Sequence, residues 1–285
     1  MPSLAILQHE LRSLRSSWLV RLWLAGSLLL AILILAPGWG SLQTAPLLAA
    51  ELVPFLVFPW CLVVMVLGVT PMSGGRAEEM ADGILCRPVT RTEYLLAAWA
   101  ARVLVVLGVY LVVLVPAALL ITLAERRVQD DSVTLYGVTA SLGAVGLVLV
   151  LQVSLGFLLG TLLRSTLLAI VVLLFVWLPV NIVLDTFSLE TFSPISLNRA
   201  VPRLLRQPWS ETAEAAAPAE GFEAVGSWMD RFSAAFSAPV ESRDPKFFQR
   251  EGYDDFSLAW VVLGYASATL LSVGLATTVF CLRDL

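Results

Sequence analysis

Lysine and histidine are almost missing from this chain. Lys246 is the only lysine among 18 basic residues, and His9 is the only histidine. A single histidine rules out any metal site built on two histidine ligands and makes a serine–histidine relay implausible. Cysteine is sparse too. Cys61, Cys86 and Cys281 stand alone with no CxxC pair, so neither a disulfide framework nor a metal site is indicated. Charge is the larger shortage: 14% of the 285 residues are charged and 58% are hydrophobic, against about 25% and roughly 45–50% for soluble domains. A soluble domain of this length has no interior large enough for that much apolar surface, so the composition selects a membrane protein. A phosphate-cradling GxxxxGK(S/T) loop is also missing. Lys246 sits in Asp244-Pro245-Lys246-Phe247 without a glycine run, so ATP is not bound and hydrolysed by that route. The expectation is no enzyme, no catalytic residues, no cofactor and no nucleic-acid partner.

What is present is a series of long apolar runs. Crossing a hydrocarbon core about 30 Å thick takes about 20 mostly apolar residues. Six stretches qualify: 22–40, 52–75, 103–124, 132–163, 165–184 and 256–282, none of which contains Asp, Glu, Lys or Arg. No acid or base is therefore expected at membrane depth, where ion-coupled transporters usually keep one; secondary active transport is disfavoured. Arg164 divides the fourth run from the fifth. A merged span would be far too long, so Arg164 marks a tight turn at a membrane surface. The fold class expected is an all-α integral membrane protein, one domain over 1–285 with six transmembrane helices. About 20 amphipathic residues precede the first run without a convincing cleavage site, so no cleavable signal peptide is expected.

Orientation follows from the arginines. Nine of them (Arg12, Arg15, Arg21, Arg76, Arg87, Arg91, Arg102, Arg164 and Arg283) fall on one side, against Arg126 and Arg127 in the short loops of the other. The 188–255 loop carries seven basic residues, but long loops cross largely regardless of charge. Both termini are expected in the cytoplasm, and the location is the plasma membrane of a bacterial-type cell.

Three segments outside the spans carry a pattern. In 3–18, Leu4, Leu7, Leu11, Leu14 and Trp18 recur at helical spacing, with Gln8, Arg12, Arg15 and Ser16 off the stripe. This reads either as an amphipathic helix on the inner membrane surface or as an extension of the first span. The inner loop 71–101 opens on Pro71, Gly74 and Gly75 and runs through Arg76, Glu78, Glu79, Met80, Asp82 and Gly83. After Arg87-Pro88-Val89 comes Thr90-x-x-Glu93, the form of a capping box, predicting a helix that continues through Tyr94 and Trp99 into the third span. The loop is either a solvated connector or a surface folded for a partner. The outer loop 188–255 is too long for a simple connector. Leu197, Val201, Leu204 and Leu205 suggest an amphipathic turn or two interrupted by Pro202. Phe222, Val225, Met229, Phe232 and Phe236 make a second stripe, opposite Glu223, Asp230 and Arg231, and Glu211–Glu220 reads as a flexible link. The apolar faces must rest on the outer membrane surface or on the tops of the spans.

Inside the runs, Gly156-x-x-x-Gly160 would let another helix approach closely, and Pro54, Pro59, Pro116 and Pro179 are candidate kinks. Asp185 and Asn181 end the fifth run, either lining a pathway or solvating the helix end.

The segment Glu78-Glu79 followed by Gly83-Ile84-Leu85-Cys86-Arg87-Pro88-Val89-Thr90-Arg91-Thr92-Glu93-Tyr94 resembles the coupling-helix segment of ABC-2 family permeases, the membrane subunits of one class of ABC exporters. Leu159-Gly160-Thr161-Leu162-Leu163-Arg164-Ser165 resembles that family's tight turn between its fourth and fifth spans. Ser193-Pro194-Ile195-Ser196-Leu197-Asn198 is similar to the outer loop of permeases near the one assisting copper-site assembly in nitrous-oxide reductase. The outer loop is longer than the short paired gate helices of simpler members. The resemblance covers most of the chain and implies a permease subunit that moves a substrate with energy from a separate ABC ATPase. It implies docking of that ATPase on Glu78, Glu79, Met80, Gly83, Ile84, Leu85 and Arg87, and work as a pair with a second copy or a related permease. Phe222, Val225, Met229, Phe232 and Phe236 would then gate the exit or meet an extracytoplasmic partner. The alternative is a membrane anchor or assembly subunit that passes ATPase-driven motion to such a partner through the outer loop.

Overall fold

The computed structural model describes residues 2–69, 90–124, 133–163, 165–186, 193–206 and 258–282, and every regular element in them is an α-helix. In chain order these are α1 (Pro2–Ser16), α2 (Trp18–Gly38), α3 (Thr44–Leu56), α4 (Trp60–Val69), α5 (Arg91–Leu123), α6 (Leu135–Leu162), α7 (Thr166–Thr186), α8 (Pro194–Arg206) and α9 (Leu258–Leu282). Five stretches are long and apolar enough to cross a bilayer: α2, α3 with α4 (Thr44–Val69), α5, α6 and α9. α7 is a further apolar helix, packed against α4 and α6. The outward faces agree with lipid as the surroundings. Leu29, Ile32 and Leu33 of α2 and Leu263, Leu270 and Leu271 of α9 are all exposed. Each would cost about 1.5–3 kcal/mol if left in water. This is a multi-pass membrane protein.

α6 is the axis of the bundle. Its sequence is apolar on every face, which suits a helix buried all round, and α3, α4, α5, α7, α8 and α9 all pack on it. Three glycines make a close seam between α4 and α6. A β-carbon on Gly156 would lie 2.6 Å from the Met65 carbonyl oxygen, one on Gly160 2.6 Å from that of Val69, and one on Gly68 2.6 Å from that of Val153. The Gly156-x-x-x-Gly160 pair does admit a close helix, and that helix is α4 of the same chain.

The second span departs from the expected 52–75. Its helix starts at Thr44 and takes in Glu51, which is 3% exposed, so the expectation of no acid at membrane depth is overturned. A window that stops at the first charge misses it. The carboxyl is sheltered by neighbouring helices rather than by lipid, which is how such groups are tolerated. The same span breaks at Val57–Pro59, between α3 and α4, where the Cys61 thiol donates to the Val57 carbonyl. Of the candidate kinks, Pro59 falls at this break, while Pro54, Pro116 and Pro179 stay inside continuous helices.

Ser17 is extended (φ −62°, ψ 132°) and separates α1 from α2, so the N-terminal helix is its own element. Leu7, Leu11 and Leu14 are partly buried, α1 lies against α5, and Leu4 and Trp18 face outward. Thr90 and Glu93 form the capping box: the Glu93 amide donates to Thr90 Oγ1 at 3.3 Å, and the Thr90 amide to Glu93 Oε2 at 3.3 Å. The helix they start runs unbroken through Tyr94 and Trp99 to Leu123. α6 ends at Leu162 and α7 begins at Thr166, so the fourth and fifth runs are separate helices, and Arg164 lies outside the described residues.

α8 corrects the reading of Pro202 as an interruption. The helix runs through it from Pro194 to Arg206, with Leu197, Val201, Leu204 and Leu205 buried against α3 and α6. Four such side chains at about 1.5–3 kcal/mol each outweigh the ~3 kcal/mol that an interior proline costs. Of the two supports left open for this face, the tops of the spans are the one used.

Candidate functional site

Two polar assemblies stand out in the bundle, one toward each end. The first holds the stems of segment 70–89. α4 ends at Val69 and α5 begins just after Thr90. Both are fastened to α6. On the α4 side the contact is backbone to backbone, Gly160 under the Val69 carbonyl, an approach only glycine permits. On the α5 side, Trp99 Nε1 donates to Ser154 Oγ at 3.0 Å, and Ser154 Oγ donates to the Val150 carbonyl at 2.7 Å. One turn further on, Arg102 Nη2 donates to Glu10 Oε2 of α1 at 3.4 Å, while Nη1 donates to the Ala98 carbonyl. The guanidinium fork suits this double engagement. α1, the first three turns of α5 and the C-terminal half of α6 thus form one braced unit around the place where the chain enters and leaves 70–89.

The second assembly lies under α8. The Thr134 amide donates to the Leu205 carbonyl at 3.1 Å, so a carbonyl left over at the end of α8 meets a donor left over at the start of α6. A β-carbon on Gly137 would collide with the Leu204 and Leu205 carbonyl oxygens, so this contact again requires glycine. Beneath it is a cavity of about 10 Å³ lined by Glu51, Ser141, Leu52, Leu114, Val138 and Leu205 among others. Glu51 Oε1 and Ser141 Oγ are buried and have no hydrogen-bond partner among the described residues. Beside them, Tyr110 donates its hydroxyl to the Leu142 carbonyl at 2.9 Å and sets its ring edge-on to Phe55, centroids 5.3 Å apart.

The residues singled out from the sequence divide sharply. Glu78, Glu79, Met80, Gly83, Ile84, Leu85 and Arg87 lie outside the described residues, as do Cys86 and the stripe Phe222, Val225, Met229, Phe232 and Phe236. Asn181 is buried and donates from Nδ2 to the Trp177 carbonyl at 2.7 Å, so helix-end solvation does not describe it. The side chain of Asp185 is outside the described residues. Sequence reasoning passed over Glu51, the Glu10–Arg102 pair and Gln152, whose carboxamide is fully buried in α6 with neither polar atom paired among the described residues. Glu51 had a signal, a lone acid with apolar runs on both sides. The ion pair had none, its partners standing 92 residues apart.

No protein-family model matches this chain, and a comparison with curated proteins finds no match.

Proposed function

We propose that this chain is the permease subunit of an ABC exporter, moving its substrate across the plasma membrane with energy from ATP hydrolysed by a separate subunit. In this reading α7 completes a set of six spans with both termini in the cytoplasm. Residues 74–88 form the surface on which the ATPase docks, through Glu78, Glu79 and the apolar Met80, Ile84 and Leu85.

The observation that carries the reading is the bracing of the two stems. A docking segment transmits force only if its displacement reaches the spans instead of being absorbed at its ends. Val69 over Gly160 and Trp99 on Ser154 tie both stems to the central helix, and Arg102 on Glu10 brings the N-terminal helix into the same unit. Interfaces packed in this way move between discrete arrangements rather than deforming smoothly.

The second support concerns the pathway. α6 fills the middle of a single copy, and the cavity beside Glu51 has room for about one water molecule. A hydrated path for anything larger therefore belongs between two copies, related by a two-fold axis. The test is affinity purification of the tagged chain in mild detergent. The expected result is a complex holding two copies of the chain and two copies of an ATPase, lost when Glu78 and Glu79 are both replaced by arginine. A chain that purifies without any ATPase, or keeps it undiminished in that double variant, would overturn the assignment.

A further inference from the structure

We propose that the elbow between α1 and α2 binds a phospholipid of net negative charge, its headgroup held by Arg12, Arg15 and Arg21 and one acyl chain laid along α2 below Trp18. α1 already has a use for its apolar stripe. Leu7, Leu11 and Leu14 are partly buried and the helix packs on α5. Glu10 lies on that same side, joined to Arg102. What α1 turns outward is polar, with Gln8, His9, Arg12, Ser13, Arg15 and Ser16 all exposed. The helix is therefore held by its neighbour, and its cations are left for a ligand outside the bundle.

Arg21 gathers the charge at one point. Its Nε donates to the Arg15 carbonyl at 3.4 Å, one of the carbonyls that the end of α1 leaves without a helical partner. That bond sets the Arg21 guanidinium against the last turn of α1, where Arg12 and Arg15 are neighbours on the helix surface. All three arginines are exposed, and none forms an ion pair among the described residues. Glu10 is the only acid in the first 50 residues, and it is engaged on the opposite side of α1. Three positive charges gathered on one elbow repel one another unless an anion joins them. A phosphate is the complement of such a cluster. A headgroup that adds an ammonium is not, because no acid of α1 or α2 faces it.

The apolar half of the site continues directly from the charged half. Trp18, 74% exposed, stands one turn before Arg21 on α2. Leu22, Ala25, Leu29 and Leu33 follow it at three- and four-residue spacing, all exposed on one face. Tryptophan is enriched at the level of the headgroups, which sets Trp18 and the arginines at the membrane surface and the leucines below it. From Leu22 to Leu33 the helix rises about 16 Å, the depth of one leaflet of a hydrocarbon core about 30 Å thick. A phosphate above and an acyl chain below match this order of groups, whereas a soluble anion meets only the first. The site belongs to α1 and α2 alone and stands whether or not an ATPase drives the chain.

Native mass spectrometry of the full chain in mild detergent, titrated with dioleoyl phosphatidylglycerol or dioleoyl phosphatidylcholine, tests the site. Phosphatidylglycerol should bind about tenfold tighter or more. Each arginine near a membrane surface strengthens attraction to anionic lipid by a factor of about five. Arg15→Gln with Arg21→Gln should therefore weaken phosphatidylglycerol binding about 25-fold and leave phosphatidylcholine unchanged. Arg126→Gln with Arg127→Gln, beyond the other end of α5, removes the same charge and should change neither. A second measurement uses nanodiscs of phosphatidylcholine with a minor share of phosphatidylglycerol brominated on its acyl chains. The fraction of tryptophan fluorescence quenched should fall in Trp18→Phe and in the Arg15, Arg21 double variant. Equal affinity for the two lipids, equal losses in the two double variants, or quenching unchanged by Trp18→Phe would each overturn the proposal. So would displacement of phosphatidylglycerol by millimolar inorganic phosphate, since the acyl chain would then contribute nothing.

Discussion

Arg102 on α5 and Glu10 on α1 are joined at 3.4 Å, with side chains 5% and 15% exposed. The pair ties α1 to α5, and its two members are not equally sheltered. Glu10 keeps some contact with the surface, whereas the guanidinium is buried and has the Ala98 carbonyl as its other partner. Removing Glu10 therefore strands a buried cation, while removing Arg102 leaves a carboxylate that can turn toward water.

Glu10→Gln should destabilise the protein by about 3 kcal/mol, the low end of what a broken buried pair costs, and Arg102→Met by less. The double variant should recover most of the loss, since no charge is left unpaired. Thermal unfolding of the four proteins in detergent gives the cycle. Additive losses in the double variant would mean that the two groups are not coupled.

The glycine seam separates required from incidental glycines. Gly156→Ala puts a β-carbon 2.6 Å from the Met65 carbonyl oxygen, so α4 must shift, at about 1–3 kcal/mol. Gly143 and Gly274 have nothing within 4 Å of the same atom. Alanine there should be neutral or stabilising by up to about 1 kcal/mol, because glycine is the poorer helix former. Equal melting temperatures for Gly156→Ala and Gly143→Ala would contradict the seam.

What could be read in advance follows the range of the interaction. Thr90 and Glu93 satisfy each other within one helical turn, so four residues of sequence contain the whole capping box, and it is there. Gly156 and Gly160 were legible as a surface for close approach, but not that α4 would fill it. The apolar stripe of α8 was legible; its continuation through Pro202 was not, because that depends on what α3 and α6 return in burial. Glu51 was misread for the same reason. A hydropathy window treats a charge as the edge of a span, yet the shelter comes from Ser141, Leu114 and Leu205, all distant in the chain. Residues 74–88 and the Phe222–Phe236 stripe lie outside the described residues.

Orientation has a direct test at two exposed turns on opposite ends of the bundle. Ser41 lies between α2 and α3, Ser165 between α6 and α7, and both are exposed. In a chain otherwise free of cysteine, a membrane-impermeant thiol reagent should label Ser41→Cys in intact cells and Ser165→Cys only after permeabilisation. The arginine distribution requires that order. The reverse labelling would invert the topology and place 70–89 where no cytoplasmic ATPase reaches it.

The cap at the head of α5 fixes the first turn of the helix, and under the proposed function it is also where docking force would enter the spans. Thr90→Ala deletes the acceptor of the Glu93 amide and should weaken the first turn by about 1 kcal/mol, roughly a five-fold rise in the exchange rate of the amides at 91–94. Thr90→Ser keeps the acceptor, and Glu93→Gln keeps the reciprocal bond to the Thr90 amide; both should exchange close to the wild-type rate. Hydrogen exchange followed by mass spectrometry in nanodiscs resolves these amides from the rest of α5, which the Trp99–Ser154 and Arg102–Glu10 bonds hold independently. Thr90→Ala exchanging like wild type would mean that the cap is not formed. If an ATPase docks on 74–88, its addition should slow exchange at 91–94 in the wild-type protein, because the first turn of α5 is then held from both ends. No change on addition, with the ATPase bound, would show that docking force does not enter the spans through α5.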